Sequence, residues 1–161
     1  MVGLRVTPIP TEHAQLYWSG GLDAHGLKPE RHISEGTGVP CRHCLNTVSA
    51  GEPYLILAYC PFGELQPYAE VGPIFLHASP CDTYDDNEAI PEIYLNGEAR
   101  ILRGYDRNDR IIYGTGKVVH PQDIAAYAEE LLDDLTTAYV HVRSSMNNCL
   151  AFRIDRTGPE D

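Results

Sequence analysis

The chain contains no stretch approaching ~20 uninterrupted apolar residues, so no helical segment is expected to span a bilayer. No internal repeat or low-complexity tract interrupts it. Its opening, "MVGLRVTPIPTEHAQLYW", lacks the charged start and apolar core of an export signal, which sets the expectation of a cytoplasmic protein. Basic residues are scarce. Twelve Lys plus Arg face 23 Asp plus Glu, for a formal net charge of −11. Such a field repels phosphate backbones, and neither a nucleic-acid nor a membrane partner is expected. A local basic cleft for a small anionic ligand remains compatible with it, because net charge does not describe one cleft.

At 161 residues, 43% hydrophobic and 22% charged, the chain is long enough to bury one core, and a single domain over residues 1–161 is expected. Five cysteines, an odd number, read as thiols or metal ligands rather than as a disulfide framework.

Thr11 is placed to cap a short helix through Trp18, which "SGG" at 19–21 stops. Residues 20–40, rich in glycine, read as a long ordered loop. "YLILAY" (54–59) and "PIFLHA" (73–78) are apolar runs of strand length. "ARILRGYD" (99–106) and "RIIYGTGKVV" (110–119) flank the turn "RND" and predict an antiparallel hairpin, with Gly114 and Gly116 marking a bulge or a close backbone approach. "HPQDIAAYAEELLDDL" (120–135) carries Pro121 at a helix start and an apolar stripe of Ile124, Tyr127, Ala128, Leu131 and Leu135. "AYVHVRS" (138–144) and "LAFRID" (150–155) alternate with the period of strands. Paired strands with one principal helix in the C-terminal half, packed on a mainly antiparallel sheet, define an α+β fold.

Chemistry concentrates at "PCRHCL". Cys41 and Cys44 have the two-residue spacing that supplies one edge of a tetrahedral zinc site. After a spacer of 32 residues, His77 and Cys81 in "HASPC" offer the opposite edge. Both pairs lie where a strand meets a turn. No glycine follows either cysteine of the first pair. Other chemistries fit the same residues. Cys41 and Cys44 are small enough to be plain core residues, with His77 hydrogen-bonded at a strand end. As a dithiol redox pair they would draw on Arg42 and His43 to lower a thiol pKa. As a nucleophile, Cys41, Cys44 or Cys81 would use His77 as base. No catalytic residue is assigned.

A second candidate is "YVHVRSSMNNC" (139–149). Tyr139, His141 and Arg143 share one strand face, and Asn147 and Asn148 follow in the next turn. An imidazole, a guanidinium and two amides suit a carboxylate or phosphate, while a solvated strand face is the plainer reading. "GTGK" (114–117) is no phosphate loop, because Ile111 stands where the pattern needs glycine and Val118 where it needs a hydroxyl. The acidic run "CDTYDDNE" (81–88) lacks the ligand spacing of a calcium loop.

Between residues 41 and 81, "CRHCLNTVSAGEPY" followed by "HASPC" resembles a treble-clef-like zinc finger, in which a cysteine knuckle leads into a hairpin and a later pair completes the site. On a larger scale, "PCRHCL", "PYAEVGPIFLHASPC", "LRGYD", "GTG" and "YVHVRS" with "NNC" resemble the bacterial family called domain of unknown function 1203. The resemblance covers residues 38–156, leaving 1–37 as an N-terminal helix and loop and 157–161 as a tail. It implies a stand-alone domain and supplies no activity or substrate. The expectation is therefore a binding or scaffold module with structural zinc on Cys41, Cys44, His77 and Cys81. The alternatives are a thiol- or metal-dependent enzyme using the same cluster and a dithiol redox protein.

Overall fold

The computed structural model of the chain describes residues 2–85 and 89–158, so the end of the acidic run at 86–88 and most of the tail lie outside the described residues. The architecture is α+β, with strands paired antiparallel in two sheets and a helix of the C-terminal half packed on the larger one. By its internal contacts the chain forms two compact units: residues 8–84, and residues 1–7 together with 85–161.

The first unit holds helix α1 (Thr11–Trp18) and the strands β2 (Glu30–Ile33), β3 (Pro53–Tyr59) and β4 (Gly72–His77). These strands form an antiparallel sheet in the order β2-β3-β4. Along β3 and β4 the period of two sends Leu55, Leu57, Tyr59, Ile74 and Leu76 inward, with Leu55 opposite Leu76 and Leu57 opposite Ile74. The same alternation turns Phe75 and His77 to the other face. Strand β2 falls inside the stretch expected to be a loop. All four of its residues are exposed, so it carries no apolar alternation by which a sequence reveals a strand. Helix α1 has the expected limits, but its N-cap is Pro10, and Thr11 is the first helical residue with its hydroxyl engaged elsewhere.

In the second unit, β1 (Gly3–Thr7), β5 (Arg100–Tyr105), β6 (Lys117–Val119), β7 (Tyr139–Ser144) and β8 (Leu150–Thr157) form an antiparallel sheet in the order β1-β8-β7-β5-β6. Strand β1 is not among the strands expected from the sequence, since its only signal is the buried pair Leu4 and Val6. The hairpin turns at 106–110 as expected, where Asp106 and Arg110 close the loop and Tyr105 bridges Ile111. Its second arm is shorter than 110–119. At Gly114 the backbone has a φ of 93°, and Thr115 Oγ1 accepts the Gly104 N–H at 2.9 Å, so regular pairing resumes only at Lys117.

A 3-10 turn at Pro121–Asp123 leads into helix α2 (Ile124–Asp133), which lies against β5, β7, β1 and β8. Ile124, Tyr127, Ala128 and Leu131 are buried, as the stripe requires. Leu135 is not. The helix ends at Asp133, and the Asp134 carboxylate gathers the N–H and hydroxyl of Thr136 into a turn that leaves Leu135 77% exposed; Leu132 fills the interior instead. Leu102, Val140, Val142, Phe152 and Ile154 complete this core. Phe152 meets the Tyr94 ring edge-on at 5.1 Å. Phe152→Ala is expected to cost about 3–5 kcal/mol, read as a lowered midpoint in urea denaturation, with an unchanged midpoint contradicting this placement of the core.

Candidate metal centre

Residues 39–48 fold into a tight turn whose backbone is closed on itself. Pro40 bridges Thr47, Cys41 N–H donates to Asn46 O at 2.9 Å, and Leu45 N–H donates to Cys41 O at 3.0 Å. The turn needs one residue in the left-handed region, a place that favours glycine, and Leu45 takes it with a φ of 57°. Such a residue costs on the order of 1–3 kcal/mol, offset here by burial of its side chain, which is 2% exposed. Arg42 N–H then donates to Phe75 O at 3.0 Å, and Cys41 pairs in parallel with Phe75. The turn is thereby fastened to the edge of β4 two residues before His77.

That attachment brings both sequence pairs together. The ligand atoms of Cys41, Cys44, His77 and Cys81 all lie within 4.8 Å of one another. Cys41 Sγ is 3.8 Å from Cys81 Sγ, and Cys44 Sγ is 3.5 Å from His77 Nδ1. Cys41 is fully buried, the other three ligands are half-buried, and all five cysteines of the chain are free thiols. Hydrogen bonding with the Cys44 and Cys81 side chains holds the Cys41 thiol far below its usual range, against the opposite effect of burial. Bonding to the Cys41 and Cys44 sulfurs raises His77 to about 10. The Cys81 thiol moves up, because Cys41 and then Cys44 compete with it for the same negative charge.

Several groups surround the four; the sequence marks His43 and Arg42 only as groups that would lower a thiol pKa, and it gives Glu52, Thr11 and Trp18 no place at the site. Glu52 Oε2 stands 3.7 Å from His77 Nε2, within ion-pair distance of the nitrogen that faces away from the sulfurs. A carboxylate there orients a ligating imidazole. His43 turns from its own cysteine pair to Cys81, with Nδ1 3.4 Å from Sγ, while its Nε2 is 2.9 Å from Thr11 Oγ1. Burial holds the His43 pKa below its usual value. Trp18 meets the His43 ring edge-on at 5.2 Å and donates its indole N–H to the His77 carbonyl at 2.8 Å. Arg42 points elsewhere, to the Pro40 carbonyl and the face of Phe75. The only available signals for Thr11 and Trp18 were their residue types, more than twenty positions before Cys41 in the sequence.

The second candidate set lies in the other unit. His141 and Arg143 are 1% and 4% exposed, so this strand face is buried rather than solvated; Asn147 and Asn148 are exposed in the turn that follows. Arg143 Nη1 donates to the Asn148 backbone carbonyl at 3.1 Å. Tyr105 stacks on Tyr139 with centroids 5.2 Å apart, and the His141 ring is 4.6 Å from Tyr105. The Arg153 guanidinium lies 3.8 Å over the Tyr139 ring and forks onto Asp155.

These features define an α+β protein with a Cys3His cluster that could hold a metal ion. Residues 38–156 match the family described as Protein of unknown function (DUF1203), and the chain belongs to that family. No curated protein and no solved structure matches the chain. Thr11 and Trp18 fall outside the matched span. Among the described residues, no helix is long and apolar enough to cross a membrane.

Burial, followed by the positive charges of Arg143, Arg153 and Arg103, pushes the His141 pKa well below its usual 6.5. Below about pH 6.5 the unfolded chain binds a proton that the folded one refuses, so stability falls as pH drops, by up to about 1.4 kcal/mol per unit. His141→Phe, which keeps a ring beside Tyr105, is expected to flatten the melting temperature between about pH 6.5 and 5. An equally steep decline in both proteins would show that His141 titrates normally.

Proposed function

We propose that Cys41, Cys44, His77 and Cys81 hold a structural zinc ion and that the protein is a metal-stabilised binding or scaffold module. One geometric observation carries the reading. A tetrahedral zinc with bonds of about 2.3 Å to sulfur and about 2.0 Å to nitrogen has sulfur–sulfur edges of about 3.8 Å and sulfur–nitrogen edges of about 3.5 Å. The separations here are 3.8 Å between Cys41 and Cys81 and 3.5 Å between Cys44 and His77.

The donor set supports the same assignment. Three sulfurs and one imidazole suit zinc better than the hard cations that take oxygen ligands. Four protein ligands close the tetrahedron, whereas catalytic zinc keeps one position for water. Groups suited to a second coordination layer support the reading: Glu52 at His77, and His43 with Thr11 at Cys81. The dithiol alternative is less well supported, since residues 42–44 form a turn and no helix start lies at Cys41 to lower its thiol.

Elemental analysis of freshly purified, tag-free protein is expected to find one zinc per chain. Cys44→Ser should lower that occupancy and lower the melting temperature; metal-free protein with unchanged melting would refute the assignment. Zinc affinity is also expected to fall as pH drops from about 8 to about 5, because thiolates and imidazole bind the metal only when deprotonated. Competition with a chromogenic chelator across that range measures it, and a flat profile would point to other ligands.

A further inference from the structure

The three sulfurs of the cluster are not equally hydrogen-bonded. Cys41 Sγ accepts the His77 backbone N–H at 3.4 Å and a second backbone bond from Cys44. Cys81 Sγ faces His43 Nδ1 at 3.4 Å, in a ring whose other nitrogen is held by Thr11. Among the described residues, Cys44 Sγ meets the co-ligand His77 Nδ1 at 3.5 Å, the Asn46 carbonyl oxygen at 4.0 Å and the neighbouring Cys41 and Cys81 sulfurs. A carbonyl donates nothing to sulfur, and the lone pair of a ligating nitrogen is committed to the metal. Once metal is bound, Cys44 is the thiolate with no N–H donor among the described residues.

That difference has a chemical consequence. A hydrogen bond to a thiolate withdraws electron density from its lone pairs and blunts it as a nucleophile. Cys41 is quietened in this way and fully buried as well. Cys81 is half-buried, and His43 quietens it in the tautomer that carries the ring proton on Nδ1, with Thr11 donating to Nε2. Cys44 is half-buried, and its lone pairs face no such competition.

We propose that, in the zinc-loaded protein, Cys44 is the reactive sulfur of the cluster and accepts alkyl groups from uncharged carbon electrophiles. The inference rests on the zinc reading of the site. A lone pair of Cys44 Sγ forms a sulfur–carbon bond as the bond between that carbon and its leaving group breaks, and the leaving group departs with the electron pair. No oxidant or proton donor is needed. The product is a neutral thioether, a weaker ligand than thiolate, so transfer also loosens the metal. Three thiolates around a divalent ion leave one net negative charge, which disfavours anionic electrophiles.

The test uses full-length protein carrying Cys60→Ser and Cys149→Ser, so that only the cluster thiols remain. After zinc loading, confirmed by elemental analysis, it is treated with substoichiometric iodoacetamide, and alkylation is mapped by peptide mass spectrometry over time. Cys44 is expected to react at least about tenfold faster than Cys81 or Cys41, the scale on which the groups around metal ligands act. His43→Phe should bring the Cys81 rate up towards that of Cys44. Thr11→Val, which keeps the imidazole but frees its ring, should do so more weakly. Alkylation first at Cys81 or Cys41 in loaded protein, or an unchanged Cys81 rate in both variants, overturns this proposal and leaves the zinc assignment standing. Protein that takes up no zinc overturns both.

Discussion

The hydrogen bond from Arg42 N–H to the Phe75 carbonyl, 3.0 Å long, is the constraint on which the candidate centre depends. It joins a turn that carries two cysteines to the edge of a strand that ends in His77. Only Leu76 separates Phe75 from that histidine, and period-two alternation keeps both on the face away from the apolar interior. The chain then needs only the short segment 78–80 to return with Cys81. Each candidate ligand is thus held by backbone geometry, with Leu45 supplying the left-handed residue that the turn requires. A branched apolar side chain in that conformation is unfavourable in isolation, and it persists because the side chain is buried with Val39 and Val48.

Around Cys41, Cys44, His77 and Cys81, polar groups do two kinds of work. Glu52 and the indole of Trp18 bear on His77 from opposite chemical sides, one at the ring and one at the backbone carbonyl. His43 and Thr11 act on Cys81. The result is three sulfurs of one element in three environments, and reactivity at a metal centre follows such differences as much as ligand identity. In the other unit, the polar face of β7 is ordered by a different logic. Tyr139, His141 and Arg143 are buried among tyrosines and arginines, and burial, followed by the positive charges near His141, keeps its imidazole neutral.

Much of this fold was legible locally. The runs at 54–59 and 73–78, the turn at 107–109 and the stripe of α2 depend on neighbours within a few residues, so pattern and period sufficed. Strand β2 was hidden because an exposed edge strand needs no apolar alternation. Leu135 was misplaced because the stripe continues in the sequence past the point where Asp134 and Thr136 end the helix. Thr11 had the right residue type for a cap, but a buried imidazole competed for its hydroxyl and won.

The sequence by itself determined the donor chemistry: a Cys-x2-Cys pair and a later His-x3-Cys pair, each at the mouth of a strand, within an α+β pattern. Spacing fixes which ligands can share an edge of a tetrahedron, and that is a local property of the chain. Only the tertiary structure decided that the two edges meet, that His77 presents Nδ1 to the sulfurs, and that His43 serves Cys81 rather than the pair it sits between. Those outcomes depend on contacts between residues more than thirty positions apart, whose relative placement is set by sheet register and turn geometry, and no local pattern in the sequence encodes either.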